Sequence, residues 1–341
     1  MHVKSLNSVP ITKEVAYKLL ALDNRSVNSL FTFSRELSYS KFGKTLHCYA
    51  PGLLSYNTEI FSQINPNKFA AISITGKICS LMCEHCKGKI LDAMIPATTP
   101  DELYQVCKNM RKQGCEGFLI SGGSLSNGSV PFSKFIEVIT KIKKELNCTI
   151  IAHTGLISQK AAEELKRAGV EAALIDVIGD KDTIRDIYHL DATPKDYEKS
   201  LECLNIVGLE ITPHVIVGLN RGQIKGEIEA LDMIARHNPK SVIIVALMPL
   251  LGTPMEGIAP VPPLTIAKFV SIARLMMPDV PVMLGCGRPK GLHKIRTDIA
   301  AIQAGINGIA YPAEEALKYA IKIGFDLKFH EICCSLIYKV N

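Results

Sequence analysis

Tryptophan is absent from this sequence, and aromatic residues make up only 6% of its 341 positions. No stretch approaches the ~18 consecutive apolar residues that a spanning helix needs, so a helical membrane protein is excluded. Nor is there a dense lysine and arginine block: 39 basic residues face 33 acidic ones, a net charge of +6. That is not the footprint of a nucleic-acid binder, although a mild positive excess suits docking of an acidic protein. Met1 to Pro10 lack the charged, apolar and small-residue succession of a secretory signal, and the expected location is the cytoplasm. A disulfide framework is also missing, because the eleven cysteines are odd in number and spread over a long chain. Thiols that bind metal or simply pack are the better reading. Hydrophobic residues at 47% and charged ones at 21% rule out a disordered chain.

What is present is a regular alternation. From residue 69 onward, β-rich apolar runs at 69–75, 117–121, 148–153, 172–178, 211–217, 241–247, 282–284 and 308–311 alternate with helical segments. Thr99, Pro100 and Glu102 spell a helix start, with a capping side chain, a proline and a reciprocal acid. Eight β–α units predict parallel strands with right-handed crossovers, an α/β fold of the (β/α)8 TIM type, with chemistry at the strand C-terminal ends. A doubly wound open sheet is the alternative. The expected organisation is an N-terminal helical extension over 1–68 (helices at 13–22 and 27–37), a barrel over 69–325 and a tail over 326–341.

The sharpest motif follows the first barrel strand: Cys79, Cys83 and Cys86, spaced C-x3-C-x2-C on one loop. Three thiolates on a short loop hold three corners of a cubane. With no fourth cysteine nearby, one iron stays open, unlike a closed structural zinc site or an all-cysteine cluster.

The spacing and its place in the β–α series resemble the radical S-adenosylmethionine (SAM) superfamily. The resemblance implies a [4Fe–4S] cluster with an open iron that chelates SAM and releases a 5′-deoxyadenosyl radical. His85 occupies a position that is usually aromatic there. Gly122 and Gly123, after the second strand, fall where the superfamily approaches the methionine moiety. Ser124 stands where an acid usually contacts the ammonium. Asp176 suits a ribose hydroxyl, and Val217 and Gly218 lie in a segment, 215–219, similar to the adenine-contacting one, without its trailing glutamate.

Within the superfamily the chain looks like the biotin synthase branch. Lys195 sits where that family has an arginine for the SAM carboxylate, and Arg288 matches its arginine on a second, sulfur-donating cluster. The strand cysteines of biotin synthase are missing: Ser121, Ala152 and Thr212 stand nearest. Cys48, Cys286, Cys333 and Cys334 are instead the candidate ligands of a second [4Fe–4S] cluster, while Cys107, Cys115, Cys148 and Cys203 read as packing residues. A biotin-synthase-like barrel with such cysteines resembles one half of the paired, archaeal-type lipoyl synthases. That resemblance implies sulfur insertion into an octanoyl chain carried on a lysine of a lipoyl-domain or lipoyl-carrier protein. It also implies a paired radical SAM protein and a ferredoxin- or flavodoxin-type reductant. The rivals are a single-cluster radical SAM enzyme (methylation or amino-acid rearrangement) and a non-catalytic metal-binding or assembly protein.

Overall fold

A computed structural model describes residues 9–23, 25–52 and 54–340; most of the N-terminal stretch read for a signal therefore lies outside the described residues. The chain begins with α1 (Lys13–Leu20), α2 (Val27–Phe42) and β1 (Thr45–Tyr49). Then come β2 (Phe69–Ser73), β3 (Ile95–Pro96), α3 (Pro100–Lys112), β4 (Gly117–Ser121), α4 (Ile136–Leu146), β5 (Thr149–His153), α5 (Gln159–Arg167) and β6 (Ala172–Leu174). The second half runs α6 (Lys181–Tyr188), α7 (Pro194–Ile206), β7 (Glu210–Ile211), β8 (His214–Val217), α8 (Glu227–Ala235), β9 (Val242–Ala246) and α9 (Pro263–Met276). It ends with β10 (Val282–Leu284), α10 (Leu292–Gln303), β11 (Gly308–Ala310), α11 (Glu314–Lys322) and β12 (Asp326–His330).

The strands form two six-stranded parallel sheets, ordered β3-β2-β4-β5-β6-β7 and β12-β1-β11-β10-β9-β8. A parallel bridge between Asp176 and His214 joins them, and the whole is the expected α/β fold of the TIM type. All eight expected strands are present. The run expected at 211–217 is split, because Pro213 has no N–H for the ladder. The chain resumes at once, with the His214 N–H donating to the Ile175 carbonyl at 2.8 Å. The strands read as continuous apolar runs because both faces are covered, as in β2, where all five residues are buried. The Thr99 cap is also as expected, its Oγ1 accepting from the Glu102 N–H at 3.2 Å while Glu102 accepts from the Thr99 N–H.

Three features depart from the sequence reading. The segment ahead of the barrel has its two helices, but it also supplies β1, paired between β11 and β12. The helix α6, capped by Asp180 accepting from the Thr183 N–H at 2.7 Å, was not anticipated. Neither was the course of the tail: it forms β12 and then a 3-10 turn over Cys334–Lys339 that enters the barrel. There Leu336 packs with Phe69, Ile151, Ala172 and Leu174, and Ile337 packs with Tyr49, Ile243 and Met283. Among the described residues, no helix is long and apolar enough to cross a membrane.

Candidate active site

The cluster loop leaves β2 and is held from three sides. Within it, the Cys86 and Lys87 N–H groups both donate to the Cys83 carbonyl, at 3.1 and 2.8 Å. Met82 and Lys87 take left-handed backbone, φ 44° and 45°, so the loop coils tightly enough to turn its sulfurs to one side. From α6, the Ile187 carbonyl accepts from the Glu84 N–H at 2.8 Å. The His189 ring lies 2.8 Å from Glu84 Oε1, which also takes Lys87 at 3.0 Å. Cys83 and Cys86 are buried side by side, the Cys83 thiol directed at the Tyr188 carbonyl at 3.9 Å. The neighbouring thiol draws Cys86 down against its burial and pushes Cys83 up. The His85 ring lies beside them: one ligand atom from each of Cys83, His85 and Cys86 falls within 4.8 Å of the others. His85 Nδ1 is buried without a hydrogen bond, and its ring packs 5.3 Å from Tyr188.

Gly122, Gly123 and Ser124 form the third support. A β-carbon on Gly123 would stand 2.0 Å from the Ile78 carbonyl oxygen and 2.6 Å from Cys79 Cα, so only glycine lets the cluster loop lie against this strand end. The Gly123 N–H donates to Thr75 Oγ1 at 2.7 Å, and the Ser124 carbonyl accepts from the Ser80 N–H at 2.8 Å. These three residues and the three cysteines all line one cavity of about 280 Å³. Its other walls are largely apolar, including Leu91, Met94, Leu119, Leu156 and Leu190.

Asp176 also lines the cavity, beside His153. His153 Nε2 is 3.5 Å from Asp176 Oδ1, and the His153 and His214 rings are 5.6 Å apart. The three side chains come from β5, the Asp176 bridge and β8, and their ligand atoms lie within 4.8 Å of one another. Burial disfavours charge on all of them. His214 is accordingly pulled down to about 4, and its Nδ1 has no hydrogen bond. Between His153 and Asp176 attraction outweighs burial: His153 is raised and Asp176 falls to about 2. Neither histidine was singled out from the sequence. Their signal was positional, since His153 ends one barrel strand and His214 begins another.

The remaining expected SAM contacts are placed less directly. Val217 is buried among helix-facing core residues. Gly218 has φ +79°, and its N–H donates to Glu227 Oε1 at 2.8 Å. The glutamate missing from the end of segment 215–219 is thus supplied from the start of α8. Glu227 Oε2 has no partner, and burial pushes the carboxyl up to about 7. Lys195 is exposed in the first turn of α7; Tyr197, two residues on, is the side chain of α7 that reaches the cavity.

The second set of cysteines divides. Cys48 is buried on β1 with helix-facing residues, its thiol toward the Leu46 carbonyl at 3.8 Å. Alternation along the strand is the reason: His47 and Tyr49 take the interior face, so Cys48 must point out. Cys333 and Cys334 lie against the interior core of the barrel, and Cys286, at the end of β10, is within electrostatic reach of both. Cys286 is exposed to solvent yet walled by protein, and burial pushes its thiol up. The adjacent Cys334 thiol draws Cys333 down against its burial, with smaller help from Ser335 and His153. Beside them the buried Tyr49 hydroxyl has no hydrogen-bond partner among the described residues. Arg288 was expected on this cluster, but its guanidinium is committed elsewhere. Nε and Nη2 donate to Asp298 at 2.7 and 3.0 Å, Nη1 to the Gly285 carbonyl, and Nη2 also to the Tyr311 carbonyl. It is 2% exposed and locks the strand-end loop to α10. Cys107, Cys115, Cys148 and Cys203 are buried, as packing residues should be.

The radical SAM superfamily model matches residues 73–234, and that of the biotin and thiamin synthesis associated domain matches 244–327. The biotin synthase of Nitrosopumilus maritimus is 24% identical over 306 residues, 88% of this chain and 86% of its own length. That of Cenarchaeum symbiosum is 26% identical over 239 residues, 68% of this chain and 73% of its own length. Among solved structures, methylornithine synthase (PylB) aligns over 96% of both chains with TM-score 0.63 and 15% identity. The FeFe-hydrogenase maturase HydG from Carboxydothermus hydrogenoformans aligns over 94% of this chain and 76% of its own, with TM-score 0.64 and 16% identity. At such identities the structural likeness speaks for the fold.

Proposed function

We propose that this chain, with its radical SAM and biotin and thiamin synthesis associated segments, is a radical SAM enzyme of the biotin synthase-like branch that inserts sulfur into an octanoyl chain borne on a lipoyl-type carrier protein. The single observation that carries the reading is the packing of the Cys333–Cys334 tail against the interior core of the barrel on which Cys79, Cys83 and Cys86 open, with Cys286 in electrostatic reach. Both sets suit iron–sulfur clusters. The first offers three sulfurs on one loop, all lining the same cavity. The second offers three thiols beside a buried tyrosine hydroxyl that lacks an acceptor, which a cluster sulfide would provide. Bound there, the two clusters and SAM would supply a source of sulfur and a radical that takes a hydrogen atom from an unactivated carbon.

The residues of the chain supply position and exclusion. Gly123 lets the cluster loop seat against β4, and Glu84 ties it to α6. Asp176 and the apolar walls would hold a ribose and an unbranched alkyl chain beside the cluster loop, where few groups compete for a radical. The partners of this reading are an octanoyl-lysine carrier protein, a paired radical SAM protein and a small iron–sulfur or flavin reductant. The net charge of +6 suits an acidic carrier. The test is anaerobic turnover with SAM, dithionite and an octanoylated lipoyl-domain peptide, read by mass spectrometry. Gain of sulfur with loss of hydrogen on the octanoyl chain is expected. Formation of 5′-deoxyadenosine with no sulfur on the peptide, alone or with the paired protein, would reject it and leave a single-cluster radical enzyme.

A further inference from the structure

With Cys48 turned outward and Arg288 held by Asp298, the second sulfur set has three protein ligands, whereas an all-cysteine cubane takes four. The residues around Cys333 show what else is in reach. Cys333 packs against the interior cluster that contains Ile151 of β5 and Leu174 of β6. Side chains two residues apart on a strand share a face. His153 and Asp176 therefore share that face one step further along their strands, and His153 is within electrostatic reach of Cys333.

His153 is prepared as a ligand. Nε2 faces Asp176 at 3.5 Å, and Nδ1 makes no hydrogen bond among the described residues. The side chain is 27% exposed, open to the cavity and not packed away. A histidine that binds metal through one nitrogen almost always has the other held by a carboxylate or carbonyl, which fixes the tautomer and the ring plane. Asp176 provides that hold, with His214 closing the group. Iron–sulfur centres accept imidazole in place of thiolate, with a rise in potential.

We propose that His153 is the fourth ligand, through Nδ1, of the second cluster on Cys286, Cys333 and Cys334, and that Asp176 positions its ring. The proposal rests on the two-cluster reading above. It gives Asp176 a second role beside the ribose contact, and it explains why His153 and Asp176 line the radical cavity as a pair.

The test isolates the second cluster by Cys79→Ala, Cys83→Ala and Cys86→Ala in the full chain, reconstituted anaerobically with iron and sulfide. About four irons per chain are expected. If no cluster forms in this background, the two-cluster reading itself falls, and this inference with it. If it forms, reduced protein labelled with 15N-histidine should show a strongly coupled imidazole nitrogen by pulsed electron–nuclear resonance. Adding His153→Gln should abolish that coupling and lower the retained iron. Adding His153→Cys should restore about four irons without the nitrogen coupling. Absence of any coupled nitrogen, or its survival in His153→Gln, would overturn the assignment. Its loss in His214→Gln but not in His153→Gln would transfer the ligand to His214 and equally overturn it.

Discussion

Glu227 concentrates several physical effects in one side chain. It is 5% exposed, one oxygen clasps the Gly218 N–H, and the other has no partner. Burial raises its carboxyl from 4.5 to about 7. The native state then holds a proton that the unfolded chain has already released. Stability is full below about pH 4.5 and falls as pH rises through about 7. Glu227→Gln keeps an acceptor for Gly218 and removes the titration. Thermal unfolding should show the variant gaining on the wild type across that window, by on the order of 2–3 kcal/mol, with the difference level above it. A difference that does not vary with pH would mean the carboxylate is solvated. Arg288 teaches a related lesson about chemistry read from type alone. Its place after β10 was legible in the sequence, but its direction depended on Asp298, ten residues further along the chain on α10, whose carboxylate lies fully buried.

At the scale of elements, the strands and the cluster loop were legible because their signals are local. Buried parallel strands are apolar throughout, and the C-x3-C-x2-C spacing is short. What escaped depended on packing. Thr45–Tyr49 carries a histidine, a cysteine and a tyrosine on a strand that only β11 and β12 make intelligible. The eight-residue helix α6 is too short for its periodicity to stand out, yet it braces the cluster loop through Ile187 and Glu84. The glycine pair was legible as a close approach, but the object approached is first the loop itself. Gly123→Ala should therefore lower iron retention several-fold and weaken SAM binding only as a consequence. Gly257→Ala is the control, because a β-carbon there meets nothing within 4 Å. Equal iron content in the Gly123 and Gly257 variants after anaerobic reconstitution would refute this account.

For the molecule as a whole, the tail is part of the core. Ile337 is completely buried, packed in the same interior cluster as residues of β1, β9 and β10. Ile337→Ala should leave a cavity that the surrounding strands cannot collapse to fill, at a cost of about 2–4 kcal/mol. Chemical denaturation would report it, and a loss below about 0.5 kcal/mol would show the turn to be loosely docked. The turn also fixes an order of events. Residues 331–340 follow every other strand and helix along the chain, so a ribosome delivers them after the strands whose hollow they fill. Until then the nascent barrel stands open over Phe69, Ile151 and Leu174. Cys333 and Cys334 travel on the plug itself, so closing the hollow and bringing their sulfurs to Cys286 are one event in the birth of the protein.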